Sequence, residues 1–196
     1  QGSYAETYRV KDQNGKTQFL KLINYSKLNR NQFDDDGRVI EIEIAKRLKH
    51  HNLCQLIESG SMMMNGGQFA WFVTEFVSGE TLSQRIIRDD NISVYDIKVI
   101  AKAVLSALSF LHSQPTPIIH NEVTIQNVLL NLTAGFQDLK LIDFGNACFL
   151  DQHPVKLHLN EFNPFYLAPE RFSGVSSVQA DLYSVGVMMY HLLYGK

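Results

Sequence analysis

Two short apolar runs, each followed by a polar loop, place the tightest constraint on this chain. Residues 117–130 hold the first run and its loop, and residues 139–145 hold the second run and the start of another loop. Asn127 and Asp143 lie at the edges of these loops. A carboxylate and an amide on neighbouring strand ends supply the oxygen ligands that a hard cation such as magnesium prefers. With Glu122 in the first loop as a candidate base, the pattern predicts a phosphoryl-transfer site.

Composition excludes several classes of protein. The chain has 196 residues, of which 45% are hydrophobic and 19% charged, as is typical of soluble globular proteins. The formal net charge of -2 gives no basic surface, so we expect neither nucleic acid nor membrane as a partner. Cys54 and Cys148 fit no metal-binding spacing and favour a reducing, cytoplasmic location. Residues 182–193 are apolar but interrupted by polar side chains, which predicts a buried helix.

The two loops resemble a known pair of motifs. His120, Asn127 and residues 143–145 match the catalytic and metal loops of eukaryotic-type protein kinases, His-Arg-Asp-Leu-Lys-x-x-x-Asn followed by Asp-Phe-Gly. The resemblance, nearest to Ser/Thr kinases, implies an α+β, bilobal fold. Residues 1–77 would form a small antiparallel β lobe with one helix, and residues 78–196 a mainly helical large lobe. Both ends look truncated, so we expect the start of the first strand and the later helices to be missing.

A lysine interrupts an apolar strand near the amino terminus. The sequence predicts a hairpin at Asn14-Gly15 and a return strand at 17–23, which carries Lys21. Strand statistics leave open a solvent-facing edge lysine. The kinase resemblance implies instead a lysine that pairs with nucleotide phosphates, with Gly2 and Ala5 in a glycine loop that contacts the cofactor.

The helix predicted at 39–49 places an acidic residue on its apolar face. Asp36 is expected to cap this helix. Glu41 shares a face with Ile44, Ala45 and Leu48. Because an unpaired buried carboxylate is costly, Lys21 is its predicted partner, as in kinases. The alternative is a partly exposed Glu41 in a frayed first turn.

Strands are predicted at 54–64 and 68–77, and the methionines that end the first favour a strand edge. The second strand resembles the segment between kinase lobes. By that resemblance, adenine would bind to backbone near Glu75 and Val77, and Leu129 completes the cofactor-binding set.

Two helices are expected in the second half of the chain. Ser93 and Asp96 form a capping-box pattern that opens a long helix. Its apolar residues fall on one face: Ile97, Ile100, Ala101, Val104, Leu108 and Leu111. A closing helix is predicted to begin at Asp181. The resemblance implies that Asp181 braces the catalytic-loop backbone, whereas helix-dipole physics alone would also favour an acid there.

The resemblance also assigns roles at the site. Lys21 and Glu41 would position the phosphates of ATP, and Asn127 and Asp143 would bind Mg²⁺. Glu122 would orient or deprotonate the acceptor hydroxyl, so that Glu122, Lys21 and Asn127 form the catalytic set. The implied partners are the nucleotide and either a protein substrate or a regulated partner domain.

Several positions depart from the kinase pattern. Glu122 stands where the family has its catalytic aspartate, and a misplacement of about 1 Å can cost roughly a hundredfold in rate. Thr124 replaces a lysine that screens the transferred group, Phe19 replaces a small residue over the adenine, and Asn121 replaces a phosphate-binding arginine. Residues 143–170 contain no serine or threonine, which predicts that this segment has no phosphorylation switch.

These departures leave two functions open. The first is ATP- and Mg²⁺-dependent phosphoryl transfer to a protein Ser/Thr hydroxyl, in a weak or atypical form. The second is a pseudokinase that binds nucleotide, or acts purely as a regulatory or scaffolding module. A kinase for small molecules is a third alternative, which residues 168–170 disfavour because their Ala-Pro-Glu motif resembles a protein-substrate platform.

Overall fold

A computed structural model describes residues 4–88, 92–131, 135–151 and 163–195. These residues fall into two compact units. The smaller unit runs to Lys49 and resumes at Cys54–Phe76, and the larger comprises His50–Leu53 and the chain from Val77 onward. Within the described part of the chain, no helix is long and apolar enough to cross a membrane.

A four-stranded antiparallel sheet forms the smaller unit, in the order β1-β2-β4-β3. Its strands are β1 (Ala5–Lys11), β2 (Thr17–Asn24), β3 (Leu56–Met64) and β4 (Gly67–Glu75). Its buried apolar residues include Ile23, Val39, Ile42, Ala70 and Phe72. The three methionines at the end of β3 are largely exposed on an edge strand, as predicted.

The two hairpins of this sheet close differently. Asn65 and Gly66 both have positive φ, of 52° and 76°, as a two-residue turn between twisted strands requires. The two-residue turn expected at Asn14-Gly15 is wrong, because only Gly15 has a positive φ. There the loop spans residues 12–16, and the Asp12 carboxylate accepts hydrogen bonds from the backbone N–H groups of Asn14 and Lys16.

Helix α1 (Ile40–Ala45) is shorter than the predicted 39–49. Its N-cap residue is Val39, so the expected cap by Asp36 is wrong. The Asp34 carboxylate closes a turn before the helix by accepting the backbone N–H groups of Asp36 and Arg38. The Asp36 side chain is consequently directed to the Arg38 guanidinium rather than to the helix.

The larger unit combines helices with two small antiparallel sheets. Its α-helices are α2 (Leu82–Arg88), α3 (Val94–His112) and α4 (Val178–Tyr194). One sheet has the order β5-β7-β8 and the other pairs β6 with β9. Their bounds are β5 (Gly79–Thr81), β6 (Ile118–Ile119), β7 (Val128–Asn131), β8 (Gly135–Leu141) and β9 (Cys148–Phe149). Gly79 is required in β5, because a Cβ there would lie 1.9 Å from the Leu130 carbonyl oxygen.

The long helices confirm one prediction and correct two. Helix α3 begins with the predicted capping box of Ser93 and Asp96, and its predicted apolar face is buried. Helix α4 begins at Val178 rather than Asp181, because the Ser177 side chain caps it. Its expected burial is only partial, since Leu182 is 44% exposed whereas Met188 is fully buried.

Candidate active site

Lys21 and Glu41 form a buried ion pair in the smaller unit. Alternation along β2 puts Lys21 on the same face as the core residue Ile23. Lys21 Nζ lies 2.6 Å from Glu41 Oε1, and the two residues are only 8% and 7% exposed. The predicted pairing is confirmed. The alternative of an edge lysine is wrong because β2 lies between two other strands, and that of an exposed Glu41 is wrong because the side chain is buried.

Tyr4 joins this pair, and sequence reasoning missed it. Its hydroxyl accepts a hydrogen bond from Lys21 Nζ at 3.0 Å and donates one to Glu41 Oε2 at 3.3 Å. The Lys21 ammonium also lies 5.1 Å from the centroid of the Tyr4 ring, within reach of a cation–π interaction. No local pattern signals a contact across 37 residues of chain. Gly2, the predicted cofactor contact beside Tyr4, lies outside the described residues.

A carboxylate in α4 braces the loop that begins at His120. Asp181 Oδ2 accepts the backbone N–H of His120 at 2.9 Å, and Oδ1 accepts that of Asn121 at 2.8 Å. The His112 ring, at the end of α3, lies 2.9 Å from Asp181 Oδ2. Asp181 is 1% exposed, so these contacts are shielded from water. The bracing predicted for Asp181 is confirmed.

The His120 ring fixes the next turn of the loop. Its Nε2–H donates to the Ile142 carbonyl at 3.1 Å, and Nδ1 accepts the backbone N–H of Glu122 at 3.3 Å. The ring also packs on Phe144, with 4.9 Å between centroids. Burial lowers the pKa of His120, although the nearby carboxylates of Asp181 and Asp143 oppose the shift. A neutral ring fits both contacts, because protonated Nδ1 would face an N–H donor.

Asn127 and Asp143 differ in exposure and in backbone conformation. Asn127 is buried, and its Nδ2 donates to the backbone carbonyl of Glu122 at 2.9 Å. Because that bond uses the nitrogen of the amide, Oδ1 is the atom suited to a cation. Asp143 is exposed, has a φ of +65°, and accepts the backbone N–H of Gly145 through Oδ1 at 3.2 Å. Aspartate is among the few residue types that adopt this left-handed conformation readily.

The Glu122 carboxylate contacts the side-chain amide of Asn146. Glu122 Oε2 accepts a hydrogen bond from Asn146 Nδ2 at 2.9 Å. The backbone carbonyl of Asn146 in turn accepts Asn121 Nδ2 at 2.9 Å. Thr124, at the position of the missing lysine, is buried. Asn146 directly follows residues 143–145, so its proximity to a recognised motif was the available signal for a residue that sequence reasoning missed.

A model of the protein kinase domain matches residues 1–196. The chain belongs to the protein kinase family. The α+β fold inferred from the sequence is thereby confirmed, as is the membership of the eukaryotic-type superfamily. Members of this family generally use ATP and Mg²⁺.

Similar proteins include known kinases. The chain is 33% identical over 201 residues to serine/threonine-protein kinase TIO of Arabidopsis thaliana, and this match covers 100% of the chain and 14% of the plant protein. It is 28% identical to calcium-dependent protein kinase 5 of Plasmodium berghei, over 99% of the chain and 33% of that protein. A titin homolog of Caenorhabditis elegans is 31% identical over 99% of the chain and 1% of its own length. The chain thus spans a minor part of each relative.

The remaining predicted cofactor contacts of this kinase domain fall in both units. Ala5 begins β1, and Glu75 ends β4, where its side chain accepts the backbone N–H of Gln55 at 3.1 Å. Val77 and Leu129 are partly buried residues of the larger unit. Their contact with a nucleotide stays a prediction.

The donor set of the kinase metal loop fits magnesium. Asp143 offers a carboxylate and Asn127 an amide oxygen, both hard ligands. Among the described residues, no three His, Cys, Asp or Glu side chains cluster as a metal site. A cation held by two protein oxygens would complete its shell with water and phosphate oxygens, which is how Mg²⁺ commonly binds at phosphoryl-transfer sites.

Residues 143–170, the activation segment by the resemblance to kinases, have a single hydroxyl side chain, that of Tyr166. Tyr166 is 4% exposed, and its hydroxyl lies 3.0 Å from His191 Nδ1. Burial raises the pKa of Tyr166 to about 12. Its backbone carbonyl accepts the Ser184 hydroxyl at 2.7 Å. These contacts give the side chain a structural position in the larger unit.

Proposed function

We propose that this domain transfers the γ-phosphoryl group of ATP to a Ser or Thr hydroxyl of a protein. The observation that carries the proposal is the Glu122 carboxylate, which is held by Asn146 in a loop braced by Asp181. Glutamate is one methylene longer than the aspartate of other kinases but retains the same acid–base chemistry. The relatives named as serine/threonine or calcium-dependent protein kinases support the choice of a protein substrate.

Each side chain then has a role in the reaction. Lys21, oriented by Glu41, neutralises phosphate charge. Magnesium, when bound, neutralises charge that develops on the phosphates, and Asn127 and Asp143 would hold it. Glu122 accepts the proton of the acceptor hydroxyl as its oxygen bonds to the γ-phosphorus. The bond from that phosphorus to the bridging oxygen breaks, and ADP leaves with the electron pair.

The remaining assignments follow the same proposal. By the resemblance to kinases, Gly2 and Ala5 are assigned to the phosphates of the nucleotide, and Glu75, Val77 and Leu129 to its adenine. Thr124 supplies no charge for the transferred group. Because a single electrostatic stabiliser is worth about 3–4 kcal/mol in a transition state, we expect slow turnover. Cys54 and Cys148, which form no disulfide among the described residues, support a cytoplasmic location.

One observation favours a pseudokinase as the second candidate. The Tyr4 hydroxyl already accepts a hydrogen bond from Lys21 Nζ, the atom that a nucleotide phosphate would need, and donates one to Glu41 Oε2. If nucleotide cannot displace Tyr4, the domain would act as a regulatory module on a partner domain. The two candidates differ in whether phosphate is transferred, so an assay separates them.

The test uses the full-length protein with ATP, with and without Mg²⁺. We expect a Mg²⁺-dependent rise in melting temperature that Asp143→Ala abolishes. Phosphate from labelled ATP should appear on Ser or Thr of a mixed peptide substrate, and Glu122→Gln should abolish it. Glu58→Gln, a change at an exposed carboxylate on β3, is the matched control. Binding without transfer would establish the pseudokinase, and no thermal shift at millimolar ATP would exclude a nucleotide site.

A further inference from the structure

Asn146 forms hydrogen bonds through both its backbone and its side chain. Its Nδ2 donates to Glu122 Oε2 at 2.9 Å, and its carbonyl accepts Asn121 Nδ2 at 2.9 Å. The backbone N–H of Asn121 donates to Asp181 Oδ1 at 2.8 Å. A continuous series of hydrogen bonds therefore runs from the buried Asp181 to the partly buried Glu122.

The length of Glu122 makes such a series useful. A glutamate has one more rotatable bond than an aspartate, so a fixed backbone does not by itself fix its carboxylate. Ordering a glutamate side chain costs up to about 2 kcal/mol of rotamer entropy, which a hydrogen bond offsets. Thr124 offers no cation for this task. The Asn146 amide is a neutral donor, so it can orient the carboxylate without the strong stabilisation of the charged form that a lysine brings.

Asn121 suits its position through its backbone conformation and its side-chain nitrogen. Asn121 has a φ of +67°, which asparagine adopts more readily than most residues. Its side chain is buried and turned toward β9, where Nδ2 lies 3.3 Å from Cys148 Sγ in addition to its bond with Asn146. The residue that replaces the kinase arginine thus holds the segment that carries Asn146.

We propose that Asn146 is a positioning residue for Glu122, and that Asn121 supports it. Together they adapt this catalytic loop to a glutamate base. The inference rests on the proposed phosphotransferase function. It places two departures from the kinase pattern, Asn121 and Glu122, in one hydrogen-bonded unit with a residue outside that pattern.

The main test is a double-substitution cycle in the full-length protein. We expect Asn146→Ala to lower kcat about ten- to a hundredfold, since misplacement of about 1 Å can cost that much, and to change KM for ATP less than twofold. Glu122→Asp should shorten the side chain out of reach of Asn146. Adding Asn146→Ala to Glu122→Asp should therefore cause no further loss. Asn31→Ala, at an exposed residue of a short 3₁₀ helix (Arg30–Gln32), is the control.

A second variant guards against a folding defect. Asn146→Asp is nearly isosteric but places a carboxylate against Glu122, so kcat should fall at least as far as with alanine while the melting temperature changes little. Unchanged kcat in either variant, or independent losses in the double variant, would overturn the inference.

A readout without activity separates this inference from the proposed function. The side-chain amide resonances of Asn146 should move on Glu122→Ala but not on Glu58→Ala. Resonances unaffected by Glu122→Ala would overturn the positioning contact. If the wild-type protein transfers phosphate and Asn146→Ala transfers it equally fast, the inference is overturned but the proposed function stands. A wild-type protein that has the contact but transfers no phosphate would overturn the proposed function, and the catalytic part of this inference with it.

Discussion

The hydroxyl of Tyr4 lies 3.0 Å from Nζ of Lys21, and the same hydroxyl reaches Glu41. Lys21 thereby contacts the Glu41 carboxylate, the Tyr4 hydroxyl and the Tyr4 ring in the smaller unit. A phosphate that binds Lys21 must replace or rearrange the tyrosine contact. We therefore expect the affinity of the proposed nucleotide site to depend on the position of Tyr4.

We predict that Tyr4→Phe strengthens nucleotide binding. The change removes the competing hydroxyl but keeps the ring, and one hydrogen bond is worth about 1 kcal/mol net, or roughly fivefold in affinity. Titration calorimetry with ATP and Mg²⁺ measures the effect. Tyr8→Phe is the control, because the exposed Tyr8 donates its hydroxyl hydrogen bond to Glu6, away from Lys21 and Glu41. Weaker binding by Tyr4→Phe would mean that the hydroxyl serves the nucleotide.

The buried ion pair predicts a strong effect on stability. Lys21→Met leaves Glu41 as an uncompensated buried charge, which should lower the free energy of unfolding by about 3–5 kcal/mol. The double variant Lys21→Met/Glu41→Leu should recover most of that loss. Chemical unfolding measures both. Lys46→Met breaks the exposed pair with Glu43 and should cost less than about 1 kcal/mol; a comparable cost at both sites would contradict the prediction.

Acid should destabilise the larger unit through His120. Burial lowers the pKa of His120 below the ordinary value of about 6.5, so the unfolded chain binds more protons than the folded one as the pH falls below that value. Stability is then retained above about pH 6.5 and is lost toward lower pH, by at most about 1.4 kcal/mol per pH unit for this group. Urea unfolding at pH 7.5, 6.5 and 5.5 measures the trend. Greater stability at pH 5.5 than at 7.5 would contradict it.

The activation segment should carry no activating phosphate. Residues 143–170 have no serine or threonine, and Tyr166 is buried with its hydroxyl against His191. Peptide mass spectrometry after incubation with ATP should find this segment unmodified in the native protein. Phosphorylation there, accompanied by a gain of activity, would refute the prediction.

Asp181→Asn should loosen the loop it braces. The amide keeps one acceptor oxygen but turns a donor toward the N–H of His120 or Asn121, at a cost of about 2–4 kcal/mol. Hydrogen exchange at these two amides should accelerate. Asp35→Asn, at an exposed loop position, should change neither exchange nor stability; unchanged exchange in Asp181→Asn would show that the loop holds itself.

Local patterns account for the parts of the structure that the sequence predicted. The capping box at Ser93 and the apolar spacing of α3 involve residues of a single helix, so the sequence alone reveals them. The same holds for the face of α1 that carries Glu41. The predicted start of α4 was wrong, because a polar residue earlier in the chain caps the helix. Ser177 rather than Asp181 caps α4, because it precedes the helix and its hydroxyl can accept the Ala180 N–H.

Contacts between distant segments explain what was missed at the site. The sequence allowed Lys21 to be paired with Glu41 because the two residues have opposite charges and each lies on an apolar face. A buried charge is costly unless it is paired. Tyr4 and Asn146 carry no charge and interrupt no apolar pattern, so neither residue type indicates a partner, although Asn146 does follow the motif at residues 143–145. The exchange of aspartate for glutamate at residue 122 was visible in the sequence, but the amide that receives the longer side chain was not.

Asn121 and Asp181 are separated by 60 residues of chain. Closing so long a segment carries a large entropic cost, and contacts between distant residues tend to form late in folding. The backbone at His120 and Asn121 therefore reaches its final geometry only when α4 has docked. We therefore expect a nascent or partly folded form of this domain to lack an ordered loop at His120 and Asn121, so that the proposed transfer begins only after the larger unit has folded.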